Sequence, residues 1–460
     1  MRSAAERAMK LLRQAERVEP FVFRPWFDRL TLRGILDWFQ PLSRAWSLAE
    51  AVDYDPADYV AGIGKPLPPG PGWERGLALL LGRAEEQRHE WVGADQRWQE
   101  GFFGSDAASI DLVALEAARM GAADRFMNAR SLFLPLKLLG RLPPLSWDIA
   151  TPEKLGTSFD GAAADPVRFL DPTQATAKLR QTHSMIEGGV RHRWITAEGQ
   201  SENDGAPLWA RVIEPVDAVD PPTLVFLHGI SMETDFWAGF NDAAMLAVKQ
   251  GFRLIRAEGP GHGRRRAPGT FGGEEVLSTG PFGFINYISR HLLEAALLIA
   301  WARGQGGGPV GLAGVSLGGL TAQKLACASR HWPDAYKPDA LMLMVVSGRV
   351  STLKMGGRLA GEMRLPERLA KAGWTDDLLR RYAPLVEPER DAPLPPERIF
   401  MLLGVEDEIM PIAEGRALAR DWRLPDENVT IRPQGHFTAY LGLPAAPQPF
   451  FQFLQRIKHL

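Results

Sequence analysis

Cysteine is nearly absent: the 460 residues hold one, Cys327, which excludes an intrachain disulfide and the stapled architecture of small secreted domains. Its setting, LTAQKLACAS, is that of a buried helix residue rather than a reactive thiol. Long apolar runs are missing as well. The longest, LLEAALLIAWA from Leu292 to Ala302, falls short of the roughly 20 residues that span a bilayer. Flanked by Arg290, His291 and Arg303, it reads as a core helix, and no transmembrane segment is expected. Nor does one sign of charge dominate. Against 53 Lys and Arg stand 55 Asp and Glu, a formal net charge of -2, which removes the electrostatic ground for a nucleic-acid partner. The nine histidines show no H-x-x-x-H or comparable ligand spacing, so no metal is expected. AGIGKP lacks the Ser or Thr of a phosphate-binding loop and GPGHG lacks dinucleotide spacing, so no cofactor is expected either. The start of the chain, MRSAAERAMKLLRQAERVEP, is basic and amphipathic without an unbroken apolar core or a small-residue cleavage site, and the expected location is cytoplasmic.

What is present is an ordinary globular composition, 45% hydrophobic and 23% charged, in a chain longer than the roughly 250 to 300 residues at which single cores stop growing. Two units are therefore expected. Up to about residue 185 the spacing is helical, as in ERGLALLLGRAEEQRHEWV and DLVALEAARMGAADRFMNA, and GKPLPPGPGW breaks that region into pieces. From residue 186 to 460 the texture changes. RHRWITAEG and PLWARVIEP read as a hairpin, and PTLVFLHG, FRLIRA, PVGLAG, ALMLMVV, RIFMLLG and NVTIRP read as strands alternating with helices. That alternation predicts an α/β fold, a mostly parallel sheet with helices on both faces. Between ALMLMVV and RIFMLLG an insertion at about 350–397, longer than any usual crossover, predicts a helical cap over the carboxyl edge of the sheet.

The chemistry concentrates at that edge. GVSLG fits G-x-S-x-G and lies between a strand, VGLA, and a helix, LTAQKLACA, as a nucleophile elbow must. Ser316 is its serine; taken alone, a polar helix start reads equally well. A serine hydroxyl needs a base to take its proton, and His436 in RPQGHFTAY opens a loop after the strand NVTIR. That base needs a carboxylate. LLGVEDEIMP supplies Glu406, Asp407 and Glu408, of which Asp407 fits the turn leaving the strand best. Upstream, VFLHGI ends a strand with His228 and Gly229, so that the amide of Ile230 would face that of Leu317 as an oxyanion pair, His228 itself serving as a buttress.

With HG at the loop, EGPGHGRRR after the next strand, GVSLGG, GVEDEIMP and GHFTAY, the chain from about residue 188 to 460 resembles the α/β-hydrolase superfamily. The resemblance implies that Ser316 is the nucleophile, Asp407 the acid, His436 the base, and Ile230 and Leu317 the oxyanion amides. Glu258 departs from the aspartate many relatives carry before PGHG, at a position that is structural in the family. The amino-terminal 185 residues resemble no family. The expected function is a serine hydrolase, carboxylesterase- or lipase-like, cleaving a small-molecule carboxylic ester through an acyl-enzyme intermediate. The alternatives are cleavage of a carbon-carbon bond beside a ketone and a catalytically silent binding protein on the same scaffold. Phe236 and Trp237 are candidates for the substrate pocket, with packing under the loop the other reading. Arg264 to Arg266 read as a solvated loop or, less simply, as a selector for an anionic substrate group. Half of the 14 tryptophans precede residue 150, and homo-oligomer formation through that helical module is a further expectation.

Overall fold

Four runs of the sequence, LVFL, VGLAGV, ALMLM and IFMLLG, are apolar or glycine at every position, and a strand buries both faces only where helices cover the sheet on both sides. In the computed structural model, which describes residues 25–68, 70–105, 110–175, 177–198, 206–233, 243–306, 308–349 and 357–460, these runs are central strands of one ten-stranded sheet. The strands are β1 (Lys178–Gln181), β2 (Met185–Glu187), β3 (Val190–Glu198), β4 (Trp209–Pro215), β5 (Thr223–Leu227), β6 (Arg253–Glu258), β7 (Val310–Val315), β8 (Ala340–Met344), β9 (Ile399–Gly404) and β10 (Val429–Arg432). Their order is β1-β3-β4-β6-β5-β7-β8-β9-β10, with β2 also paired to β3. Neighbours from β6 to β10 run parallel, while β1 to β4, and β4 on β6, pair antiparallel.

Side chains of the central strands divide between two cores with the period of two that a pleated strand imposes. Val225, Leu227, Leu312, Leu341, Leu343 and Met401 pack beneath the helices Pro281–Gly304 and Leu317–Ala328. Leu224, Phe226, Ala313, Met342, Met344 and Leu402 pack on the other face, against Met245–Lys249 and Gln448–Lys458. The expected hairpin is β3 on β4, with Val190 opposite Pro215. Two short strands, β1 and β2, had no signal in the sequence. KLRQ is mostly exposed and MIE is three residues long, so neither shows an apolar alternation; both form on the backbone groups that β3 offers. The apolar run Leu292 to Ala302 lies in the helix Pro281–Gly304, and Cys327 is buried in the helix Leu317–Ala328, where burial pushes its thiol up to about 11. Among the described residues no helix is long and apolar enough to cross a membrane.

Ahead of the sheet the chain is helical. Gln40–Ala51, Pro56–Ile63, Pro71–Phe103 and Leu112–Asn128 enclose a core of Trp46, Tyr59, Leu81, Phe126 and Phe133, and Phe271, from the loop after β6, inserts into it. The arginine run plays neither of the roles its sequence suggests. Arg264 pairs with Asp95 and lies 4.0 Å over the Trp209 ring, Arg265 forms a buried fork with Glu294 at 2.5 and 2.7 Å, and Arg266 reaches Glu50 at 2.5 Å and lies 4.5 Å over Trp46. Burial alone would raise the Glu50 carboxyl, but Arg266 beside it holds it below the usual carboxylate range. Two of the three arginines thus fasten the amino-terminal helices to the loop after β6. Within the insertion, the helices Arg358–Glu362, Leu365–Lys371 and Asp376–Tyr382 dock on the preceding segment, where Trp374 Nε1 donates to the Ala150 carbonyl at 2.7 Å and the Tyr382 hydroxyl to Asp160 at 2.5 Å.

Arg266→Ala strips the buried Glu50 of its shortest partner and is expected to destabilise the protein by about 3 kcal/mol. Arg83→Ala, which breaks an exposed pair with Glu86, should cost no more than about 0.5 kcal/mol. Chemical denaturation of the two variants beside the parent chain measures the difference.

Candidate active site

Between the end of β7 at Val315 and the start of the helix at Leu317 a single residue reverses the chain. That residue, Ser316, has φ 53° and ψ −119°, a conformation that costs a side-chain-bearing residue free energy and recurs at functional sites. Its amide is held by the Met344 carbonyl at 2.9 Å. The turn is tight enough to demand glycine on either side. A Cβ at Gly314 would collide with the Gly318 carbonyl, and one at Gly318 with the carbonyls of Leu227 and His228. The second collision also shows that the loop after β5, which carries Ile230, passes directly over the start of the helix that Leu317 opens.

The connections that leave β7, β9 and β10 bring Ser316, Asp407 and His436 together, at 9%, 7% and 7% exposure, with His436 opening a short helix, His436–Leu441, instead of the expected loop. Ser316 Oγ lies 2.9 Å from His436 Nε2, and His436 Nδ1 lies 2.8 Å from Asp407 Oδ2. The other carboxylate oxygen, Oδ1, accepts the amides of Ile409 at 2.9 Å and Met410 at 2.7 Å. Of the three acidic candidates only Asp407 turns inward. Glu406 and Glu408 face Arg29 at 3.9 and 3.2 Å, and Glu408 also meets Arg358 at 2.7 Å, a contact that holds its carboxyl below the usual range. With Asp407 acting as acceptor, His436 carries its proton on Nδ1 and presents the Nε2 lone pair to the serine hydroxyl.

Beneath this chain two neutral imidazoles brace the loop after β5. The Gly259 amide donates to His228 Nε2 at 2.8 Å, so the proton sits on Nδ1, 2.7 Å from the Gly229 carbonyl. His262 has the same tautomer: its Nε2 accepts the Ser231 amide at 3.0 Å and its Nδ1 donates to Pro260 at 2.9 Å. Burial, then the neighbouring His262, pushes His228 down to about 3, and burial pushes His262 down to about 4. His228 is therefore the buttress its position suggested. His262 does the same work without having been singled out, although its place in PGHG, one turn from β6, marks it.

Beside the acid turn lies an apolar cavity of about 160 Å³. Met363, Leu369 and Trp374 of the insertion form its roof, Phe284 and Trp147 its sides, and Ile409 and Met410, the residues whose amides hold Asp407, its inner wall. Phe236 and Trp237 lie outside the described residues. Another contact had no signal around Asp28 itself: this residue, on the helix Pro25–Gly34, accepts the amides of Phe437 and Thr438, next to His436.

No curated protein matches the sequence. Among solved structures the chain is similar to an acetyl xylan esterase from Paenibacillus sp. R4, at 14% identity and TM-score 0.46 over 68% of this chain and 96% of that one. It is similar also to acetyl xylan esterase 1 from Thermoanaerobacterium sp. JW/SL YS485, at 16% identity and TM-score 0.48 over 68% and 96%. A cold-adapted esterase from an Arctic intertidal metagenomic library matches at 16% identity and TM-score 0.37 over 60% and 95%. The model of the alpha/beta hydrolase family matches residues 224–452, from the first strand of the parallel set to the closing helix, and through them the chain belongs to the alpha/beta hydrolase family.

Proposed function

We propose that the protein is a serine hydrolase that cleaves a carboxylic ester carrying a compact apolar group. The observation that carries this reading is the unbroken hydrogen-bonded chain from Ser316 Oγ through His436 to Asp407. As the hydroxyl oxygen attacks the ester carbonyl, its proton passes to His436 Nε2, and Asp407 stabilises the imidazolium that forms. The carbonyl oxygen, now an alkoxide, needs donors. The Ser316 amide is spent on Met344 and the Ser231 amide on His262. The adjacent amides, of Leu317 and Ile230, are the oxyanion pair in this reading, and Leu317, first residue of its helix, has no carbonyl in a preceding turn to bind. Collapse of the tetrahedral species breaks the bond to the alcohol, which leaves with the proton from His436, and the acyl group stays on Ser316. Water then attacks, losing a proton to His436, and collapse releases the carboxylic acid while the proton returns to Ser316 Oγ.

The cavity that shares Ile409 and Met410 with the acid turn supports the choice of an apolar group. Its volume of about 160 Å³ is close to that of a buried apolar cavity, about 150 Å³, that holds benzene. A short or singly branched apolar group fills such a space.

Ser316→Ala is expected to lower kcat on p-nitrophenyl acetate by roughly 10⁵-fold with the fold intact by circular dichroism, and turnover at the parental rate would sink the assignment. Met363→Trp, which fills the cavity roof, should cut kcat/KM for p-nitrophenyl butyrate by about tenfold and leave the acetate ester nearly unaffected. Acid should weaken the loop braces. The unfolded chain binds protons on these imidazoles near the ordinary value of about 6.5 and the folded chain only near about 3 and about 4. Between those limits the unfolded state holds more protons, so their contribution is complete above about pH 6.5 and declines as pH falls. Melting temperature should drop from pH 7 to pH 5, with a shallower slope in His262→Asn.

A further inference from the structure

His436 is the first residue of the helix His436–Leu441. The opening amides of a helix find no carbonyl within it, and the residue just before usually supplies a side-chain oxygen to them. Here that residue is Gly435, which has no side chain. Its backbone, at φ −98° and ψ −161°, is extended and open to other residues, so conformation does not explain the glycine. Space does. A Cβ on Gly435 would lie 2.5 Å from Asp28 Cγ and 2.8 Å from each carboxylate oxygen.

The Asp28 carboxylate occupies the place of the missing cap. Its Oδ1 accepts the Phe437 amide at 2.6 Å and the Thr438 amide at 3.1 Å, and its Oδ2 accepts the Thr438 hydroxyl. Thr438 Oγ1 in turn accepts the Gly435 amide at 3.1 Å, which closes the network. Asp28 is buried, and its negative charge stands at the positive end of the helix. The next residue, Arg29, pairs with Glu406 and Glu408, the two neighbours of Asp407. One turn of the helix Pro25–Gly34 therefore holds the segment that carries His436 through buried Asp28 and touches the segment that carries Asp407 through exposed Arg29.

We propose that Asp28 is a positioning residue for His436, capping from another part of the chain the helix that begins with the base. The amino-terminal helical region is on this view a working part of the site. The inference rests on the reading of Ser316, His436 and Asp407 as the catalytic set. Without its cap the first helical turn frays, and a ring displaced by about 1 Å from Ser316 Oγ no longer takes the proton efficiently.

Asp28→Ala is expected to lower kcat on p-nitrophenyl acetate roughly ten- to hundred-fold, with KM changed by less than about twofold. Gly435→Ser alone should also lose activity, because its side chain displaces Asp28. Together, Asp28→Ala and Gly435→Ser should recover most of the loss, since the serine hydroxyl then caps the helix in the usual way. Asp28→Asn, which keeps one acceptor oxygen, should fall between the parent chain and Asp28→Ala, and it carries the test with the double variant where Asp28→Ala fails to fold. Labelling of Ser316 by a fluorophosphonate should slow in parallel with kcat. Unchanged kcat in Asp28→Ala, losses that simply multiply in the double variant, or a fall in melting temperature with no change in labelling rate would each overturn the positioning role. Those results leave the catalytic set standing so long as Ser316→Ala is dead. Ser316→Ala with parental turnover, or a parent chain that does not label, overturns both.

Discussion

Asp407 carries a charge into a place that water scarcely reaches, and a buried carboxylate is tolerated only when its oxygens are hydrogen-bonded. Both oxygens are: one faces the His436 ring, the other takes two amides from the turn that follows. This requirement constrains everything around it. The chain leaving β9 must fold back at once so that the Ile409 and Met410 amides point inward, and Glu406 and Glu408 must then point outward. There they meet Arg29 from the helix that opens the described chain and Arg358 from the insertion. The acid turn thus meets side chains from segments far apart in sequence, while its own Asp407 carboxylate fixes the orientation of the His436 ring.

The same economy of charge appears where the amino-terminal helices meet the sheet. Arg264 and Arg266 are each laid over tryptophan, and each ends on a carboxylate of a helix before residue 104. Stacking on indole covers the apolar face of a guanidinium while its edge stays free to bind oxygen, which suits arginine and would not suit lysine. Arg265 between them turns instead to Glu294 within the hydrolase layers. Such contacts make the helical region continuous with the loop that follows β6, and that loop also holds His262, a brace of the turn beside Ser316.

Neutral histidines do structural work that a protonated ring could not. In both His228 and His262 one nitrogen must accept a backbone amide, so burial that keeps the ring uncharged is what allows the brace to exist. The strained Ser316 turn depends on this packing, because the carbonyls of Leu227 and His228 press against the helix start at Gly318. The insertion adds Met363, Leu369 and Trp374 to an apolar cavity that Ile409 and Met410, neighbours of Asp407, also line.

The central strands, the elbow, and the order Ser316, Asp407, His436 were readable from the chain alone, since each rests on neighbouring residues: unbroken apolar runs, glycines two positions either side of a serine, a polar residue straight after a strand. The edge strands β1 and β2 were not, because short polar segments take their structure from the edge they join. Nor could the fate of Arg264 to Arg266 be read, since an arginine is solvated, substrate-binding or buried according to what faces it. Asp28 is the extreme instance: 410 positions separate it from Thr438, and only a glycine where a capping residue is usual hints at the contact. Local stereochemistry determined which residues could do chemistry; the tertiary fold alone decided what holds them in place, because a hydrogen bond between distant segments exists only once both have been packed against the same core.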